Sequence, residues 1–322
     1  MNSCKICKNS SGNTVHIARE MMFGFRDQFE YLECAQCGCV QLLNVPQNMA
    51  RYYPESYYSF EKHGWAKTLL RHRWSAYAYG RFSFPGAIVS RVFFPNRAMM
   101  SVKRLGPALE ARILDVGCGS GRLLLDLQYL GFKHLTGVDP FLERELTYPG
   151  GLTIHKKQLD RLTGHYDLIM LHHSYEHMDN PASVMRTLGG LLSPNGTVIV
   201  RIPVASSYGW EHFGINWVNL DAPRHLFLHT QQSIELLAKE AGLALNQVVH
   251  EGDDGVFWAS EAYASDIPLS DPRFPYNSLR KRLFGWRGLC DYRKRAEELN
   301  REAQADLVCI YLGQANQAKI RP

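Results

Sequence analysis

Three sets of residues in this 322-residue chain have types and spacings that chemistry can use. Gly117, Gly119 and Gly121 alternate directly after the apolar run Ile113-Leu114-Asp115-Val116 and before Arg122-Leu123-Leu124-Leu125-Asp126-Leu127. That order predicts a strand, a tight turn and a helix start, the unit that turns backbone N–H groups toward a ligand. Glycine is required where the backbone angles or a close ligand leave no room for a Cβ. A nicotinamide-type loop would carry its third glycine one place later, where this chain has Arg122. The second set is Cys4-x-x-Cys7 with Cys34-x-x-Cys37, two thiolate pairs that complete a tetrahedral zinc shell. Gly38 suits the tight return such a knuckle needs, and Cys39 is a bystander. Four protein ligands leave no open position, so the metal would hold structure rather than react. The third set is histidine beside acid: Glu176-His177, and His225 close to Asp221 and Arg224. Imidazole, with an unperturbed pKa near ~6.5, is the natural proton acceptor at neutral pH.

Elements must bring these together. Residues 134–138 read as a second strand ending in Asp139, with Pro140 blocking its continuation. An acid roughly 20 residues beyond a glycine loop is placed to bind both ribose hydroxyls of an adenosine. Further strands are expected at 152–155, 166–173, 197–203 and 243–250, with 306–312 alternating as a final antiparallel strand. Thr230 caps a helix over 233–239. β-runs alternating with helical stretches predict an open, mostly parallel α/β sheet with ligands at the carboxyl ends of its strands. The polar, aromatic stretch 208–227 lies at those ends and reads as a binding loop. Residues 253–304 read as an insertion with a helical second half.

The D-V-G-x-G-x-G spacing of Asp115–Gly121 resembles motif I of class I S-adenosylmethionine (SAM) methyltransferases. Ser174-Tyr175-Glu176-His177-Met178-Asp179-Asn180-Pro181 is similar to the "EH…P" segment of many small-molecule members, and the likeness covers roughly 105–250. The resemblance implies a Rossmann-like fold with a mostly parallel seven-stranded sheet, and SAM as cofactor. It places Asp115, Gly117, Gly119 and Gly121 around the methionine portion, Asp139 on the ribose, Gln158 and Leu159 near the adenine, and His172 in the pocket wall. The family often has an acid where Gln158 stands. The four-cysteine module, the "EH" pair and the segment Trp217-Val218-Asn219-Leu220-Asp221-Ala222-Pro223-Arg224-His225 resemble methyltransferases of bacterial surface-glycan and sugar biosynthesis. Zinc-containing sugar C-methyltransferases are also similar, though their acceptor motifs are not evident here. Bacterial rRNA guanine methyltransferases carry an N-terminal four-ligand zinc module too. The expected reaction is methyl transfer to a small polar acceptor, a sugar or glycan hydroxyl, free or lipid-linked. His177 would be the base, Glu176 would orient it or bind the sugar, and His225 is the rival base. RNA base methylation and a non-catalytic scaffold are the alternatives. The intact glycine loop and Asp139 argue against the scaffold.

An apolar fraction of 45% and a charged fraction of 21% are ordinary for a globular chain. No apolar run before a small-residue cleavage site and none able to span a bilayer is read in this sequence, so the expected location is the cytoplasm, with the inner membrane surface as a second place of work. The divisions expected are a zinc module over 1–45, a basic, aromatic-rich helical linker or cover over 46–105, and a methyltransferase domain over 106–322. From 64 to 109 there are eight basic residues and no acid, so the rest nets −3 against an overall +5. A partly buried active-site cover, a surface for anionic lipid and a nucleic-acid contact are the three readings of that segment. The basic run 280–295 leaves the same choice.

Overall fold

A computed structural model describes residues 2–53, 65–92, 96–274 and 286–315. Arg280, Lys281, Arg282, Phe93 and Phe94 lie outside the described residues, as do the side chains of Trp65, Lys67, Arg91 and Cys290. Three antiparallel strands open the chain: β1 (Thr14–Arg19), β2 (Gln28–Glu33) and β3 (Val40–Leu42). Helices α1 (Trp65–Tyr79), α2 (Phe84–Val92) and α3 (Arg97–Leu105) follow. The alternating part then runs β4 (Arg112–Val116), α4 (Arg122–Tyr129), β5 (His134–Val138), β6 (Leu146–Thr147), β7 (Thr153–His155), β8 (Tyr166–His172), α5 (Pro181–Leu191) and β9 (Leu192–Pro203). It closes with α6 (Tyr208–Phe213), β10 (Phe227–Leu228), α7 (Gln231–Glu240), β11 (Leu243–His250), α8 (Gly255–Ala264), α9 (Trp286–Arg301) and β12 (Leu307–Gln314).

The main sheet has the order β11-β12-β9-β8-β4-β5-β7-β6. Strands β7, β5, β4, β8 and β9 are parallel, and β12 enters antiparallel between β9 and β11. This is the Rossmann-like methyltransferase fold. The seven expected strands are all there; the eighth, β6, pairs antiparallel on the outer edge of β7. Two residues are too few for a periodic pattern, so nothing local marks it. Helix α8 is a second departure, because the first half of 253–304 is helical as well. Val256, Phe257, Ala259, Ala262 and Tyr263 are all buried, and a helix apolar round most of its circumference shows no amphipathic stripe.

Strand alternation divides the core into two layers. Leu114, Val116, Ile169, Leu171 and Val200 face Met185 and Leu188 of α5 and Ile234 of α7. Ile113, Leu168, Met170 and Ile199 face Leu124 and Leu127 of α4 and Met99 of α3. The cysteine-bearing strands join the first layer: Tyr31, Leu32 and Leu42 are continuous with Trp217 and Phe227. Their sheet has the order β1-β2-β3-β10, so its last strand comes from the 208–227 loop region of the main domain.

The basic helices pack on the other layer, against α4. Asp126, 3% exposed, accepts from Arg71 Nε (3.1 Å), His72 Nδ1 (2.6 Å) and Ser75 Oγ (2.8 Å). Arg81 donates to the Leu130 carbonyl at 2.7 Å, at the end of α4. Beyond these anchors Phe82 and Phe84 stand 91% and 68% exposed. Asp126→Ala would leave Arg71 and His72 half-buried without their carboxylate. Urea unfolding is expected to show a loss of about 3 kcal/mol, with faster proteolytic nicking between 65 and 105.

Candidate active site

The glycine loop sits at the carboxyl end of β4, with all three glycines at positive φ (+71°, +54° and +74°). A Cβ on Gly117 would lie 2.5 Å from the Ser174 Cβ, and one on Gly121 2.6 Å from Ile154 Cδ1. Asp139, just past β5, accepts the Gly119 N–H on Oδ2 and the Phe141 N–H on Oδ1, both at 2.9 Å. Its carboxylate thus fixes the loop from across the strand gap, and each oxygen keeps a lone pair for a ribose hydroxyl. Asp115 is buried beneath. Burial, reinforced by the Asp139 charge, pushes its carboxyl up to about 8. His172 ends β8 opposite Arg201 with neither ring nitrogen partnered among the described residues. Burial and the Arg201 charge hold that imidazole neutral. Gln158 is exposed and Leu159 half-buried just beyond β7. Gly117→Ala, forced against Ser174 at a φ that L-residues rarely adopt, should cost about 1–3 kcal/mol. Calorimetry of SAM binding alongside thermal unfolding would show both affinity and stability falling.

A second cluster lies past β8. Glu176 is 0% exposed, and neither carboxylate oxygen has a hydrogen-bond partner among the described residues. His177 Nδ1 lies 2.8 Å from the Arg224 carbonyl, and His225 Nδ1 lies 2.7 Å from the Asn219 carbonyl. A carbonyl only accepts, so both Nδ1 atoms carry hydrogen, and each ring in its neutral form presents an Nε2 lone pair. His225 Nε2 is 3.9 Å from Glu176 Oε1 and 3.8 Å from Asp221 Oδ2. His173 Nδ1 stands 3.5 Å from Glu176 Oε1. Burial works against the Glu176 charge, but the contact with His173 and the rings of His177 and His225 bring its carboxyl down to about 2. Burial, with the His225 charge, lowers the pKa of His177. Arg224 turns away into a clamp. Its guanidinium holds Asp221 (Nε to Oδ2, 2.9 Å), reaches Glu20 Oε1 at 3.4 Å and the Tyr52 carbonyl at 3.2 Å, and covers the Phe23 ring.

Beside this cluster is a cavity of about 290 Å³, lined by His173, Arg201, Asn219, Asp253, Trp258 and Asp306 among others. Helix α8 forms part of its wall. Arg201 bridges Glu251 and His173. Asp306 Oδ2 accepts from Trp217 Nε1 (3.0 Å) and Asn219 Nδ2 (2.7 Å), and burial pushes the carboxyl up to about 6 against those two donors. His173, Arg201, Glu251, Asp306 and Tyr53, whose hydroxyl lies 3.3 Å from His177 Nδ1, went unread in the sequence. Asp306 at the head of the last strand and the doublet His172-His173 were the available signals.

The four cysteines converge, every Sγ within 4.8 Å of the others. Cys4–Cys37 and Cys7–Cys34 are 3.6 and 3.4 Å apart, and all four are free thiols. Cys39, fully buried, is directed elsewhere, its Sγ to the Val40 carbonyl. Two backbone hydrogen bonds and one side-chain hydroxyl connect the sheet beside this quartet to the acid–histidine cluster. The Leu42 N–H donates to the Leu226 carbonyl (2.9 Å), and the Leu226 N–H donates to the Glu176 carbonyl (2.8 Å). The Tyr31 hydroxyl donates to the His225 carbonyl at 2.9 Å.

Residues 77–248 match the family model described as "Methyltransferase domain", and the chain belongs to that family. Among curated proteins it is similar to the ubiquinone biosynthesis O-methyltransferase of Nitrosococcus oceani, 41% identical over 98 residues, which are 27% of this chain and 41% of that one. The enzyme of the same name from Aeromonas salmonicida is 29% identical over 117 residues, 33% and 49% of the two chains. The chain thus spans about half the length or less of these relatives. Among solved structures, magnesium protoporphyrin IX methyltransferase from Synechocystis PCC 6803 with bound SAH aligns at 15% identity and TM-score 0.37, covering 62% of this chain and 84% of that one. The cyclopropane synthase MmaA2 from Mycobacterium tuberculosis aligns at 14% identity and TM-score 0.42, covering 71% and 85%. No helix among the described residues is long and apolar enough to cross a membrane.

Proposed function

We propose that this methyltransferase moves the methyl group of SAM to a hydroxyl oxygen of a small polar acceptor, a sugar or glycan hydroxyl. The observation that carries the reading is the Glu176–His177–His225 cluster beside a cavity of mixed polar and apolar lining at the carboxyl ends of the strands. Gly117, Gly119 and Gly121 would flank the methionine portion, Asp139 the ribose, and His172 the pocket wall; Asp115 lies below the loop, and Gln158 and Leu159 flank the adenine. The acceptor oxygen attacks in line, the O–CH3 bond forms, and the S–CH3 pair returns to sulfur. Holding the three atoms in line is the enzyme's main contribution. The hydroxyl proton leaves toward the His177 Nε2 lone pair, with Glu176 orienting ring and acceptor and His225 beside it. The charged and amide groups lining the cavity support a hydroxyl-bearing acceptor, while Val218, Val256, Trp258 and Leu269 in the same lining suit an aromatic one. The relatives' printed names support oxygen as the methylated atom, and they favour a second reading, a phenolic hydroxyl.

Methyl-tritiated SAM incubated with source-cell extract decides between these. Label that survives nuclease and follows the glycan fraction upholds the sugar hydroxyl. Label in an aromatic, solvent-extractable fraction selects the phenol, and label destroyed by nuclease overturns both. His177→Ala should lower turnover at saturating SAM by about 100-fold or more with SAM affinity kept; near-normal turnover would remove His177 as the base.

The cysteine quartet is proposed as a structural zinc site of Cys4, Cys7, Cys34 and Cys37. A tetrahedron with Zn–S near ~2.3 Å places sulfurs about 3.8 Å apart, close to the separations found. Cys34→Ser is expected to lose the zinc seen by elemental analysis and to lower the melting temperature. Through Leu42 and Leu226 it should also reduce acceptor turnover more than SAM binding.

A further inference from the structure

The cluster past β8 contains an imbalance that the proton-transfer reading leaves standing. With both rings neutral, their Nε2 lone pairs and the carboxylate share one small cluster, His225 Nε2 lying 3.9 Å from Glu176 Oε1, and each offers only acceptor capacity. Glu176 is fully buried with both oxygens unpartnered among the described residues, although the majority of buried polar side-chain atoms are satisfied. A carboxylate in that position is costly unless a positive group stands against it. His173 reaches only to 3.5 Å, with its Nε2 directed to Arg201.

We infer that Glu176, His177 and His225 form a binding site for a divalent first-row metal cation that holds the acceptor's oxygen beside the methyl donor. Two imidazoles and one carboxylate are a ligand set that binds a divalent metal and leaves positions open for substrate. The supporting contacts match. Metal-bound histidines usually donate their other ring N–H to a carbonyl or carboxylate, which fixes the tautomer and aims the ligand nitrogen. His177 does so to Arg224 and His225 to Asn219. The donor atoms lie within 4.8 Å of one another and would draw in to roughly 3 Å apart around an ion with ~2.1 Å bonds. The His177 and His225 rings, 4.8 Å apart between centroids and inclined at 67°, can converge without stacking.

The inference rests on the hydroxyl-acceptor reading and changes one part of it. With the Nε2 atoms on the cation, the acceptor hydroxyl coordinates and loses its proton to water. The resulting alkoxide oxygen takes the methyl, the S–CH3 electron pair stays on sulfur, and the products are the methyl ether, the thioether and one proton. The cation also selects acceptors with a second oxygen beside the reacting one, since an open chelate position favours vicinal oxygens.

The test is Mn2+ binding by the full chain, followed by electron paramagnetic resonance of the free ion. Mn2+ is the probe because it ranks lowest for nitrogen and sulfur ligands and avoids thiolate sites. The expected result is one saturable Mn2+ per chain, weakened at least tenfold in Glu176→Gln and in His225→Gln, both of which still bind SAM. Spin-echo spectra of the wild-type complex should show two imidazole nitrogens, a readout that survives even where a variant fails to fold. Absence of saturable binding, binding undiminished in folded variants, or spectra without imidazole coupling overturns the site. Bound Mn2+ with two imidazoles but product methylated on nitrogen or carbon would instead retain the metal and overturn the hydroxyl acceptor.

Discussion

A carboxylate buried completely is the constraint around which the proposed acceptor half of this protein is arranged. Removing Glu176 from water costs several kcal/mol unless compensating groups are held in place, and the surroundings are built to hold them. Its backbone carbonyl takes the Leu226 N–H, which sets the returning loop against the end of β8. His177 and His225 are each tethered through Nδ1, and the remaining nitrogen of His225 lies 3.9 Å from the carboxylate. Arg224, one residue before His225, is itself fully buried and is neutralised by Asp221 and Glu20. A cation on one side of the His225 backbone and an anion on the other fix the local field as well as the geometry.

The cofactor half depends on a different economy of charge. Asp139 binds backbone N–H groups on both oxygens while its neighbour Asp115, in the same low-dielectric region, is pushed toward the protonated form. One acid is ordered by two N–H donors and the other is a candidate neutral donor. A carboxylate that accepts the Gly119 N–H holds the loop in place before ligand arrives, which lessens the ordering required on binding.

Legibility in the sequence followed locality. The glycine loop, Asp139 and the five parallel strands lie in runs where period and punctuation agree, and the structure places them as read. The cysteine quartet was legible for a related reason: C-x-x-C spacing is set by the geometry of one turn, and two such turns meet across a short hairpin. Glu176 and His225 were singled out, but nothing local says that residues 49 positions apart face each other at 3.9 Å. Arg224 illustrates the limit. Its position beside His225 suggested participation in chemistry, whereas in the fold its guanidinium is directed to Glu20 and Asp221, and Glu20 is 204 residues away. Helix α8 and strand β6 were hidden by uniform apolarity in one case and brevity in the other. Asp306, Trp217 and Asn219 meet only because β12 inserts between β9 and β11.

The fourth strand of the N-terminal sheet, β10, is borrowed from the loop that carries His225. That loan removes the freedom a terminal appendage ordinarily has. A cassette joined by a linker can be exchanged between enzymes by recombination, since its folding unit ends where its gene segment ends. Here the folding unit and the gene segment do not coincide: the sheet begun by residues 14–42 is finished by 227–228, on the far side of the catalytic core. Any hybrid that inherits the first segment without the second receives an unfinished sheet edge and a displaced histidine. The cysteine module and the loop that carries His225 therefore complete one sheet, and a change in either must be accommodated by the other.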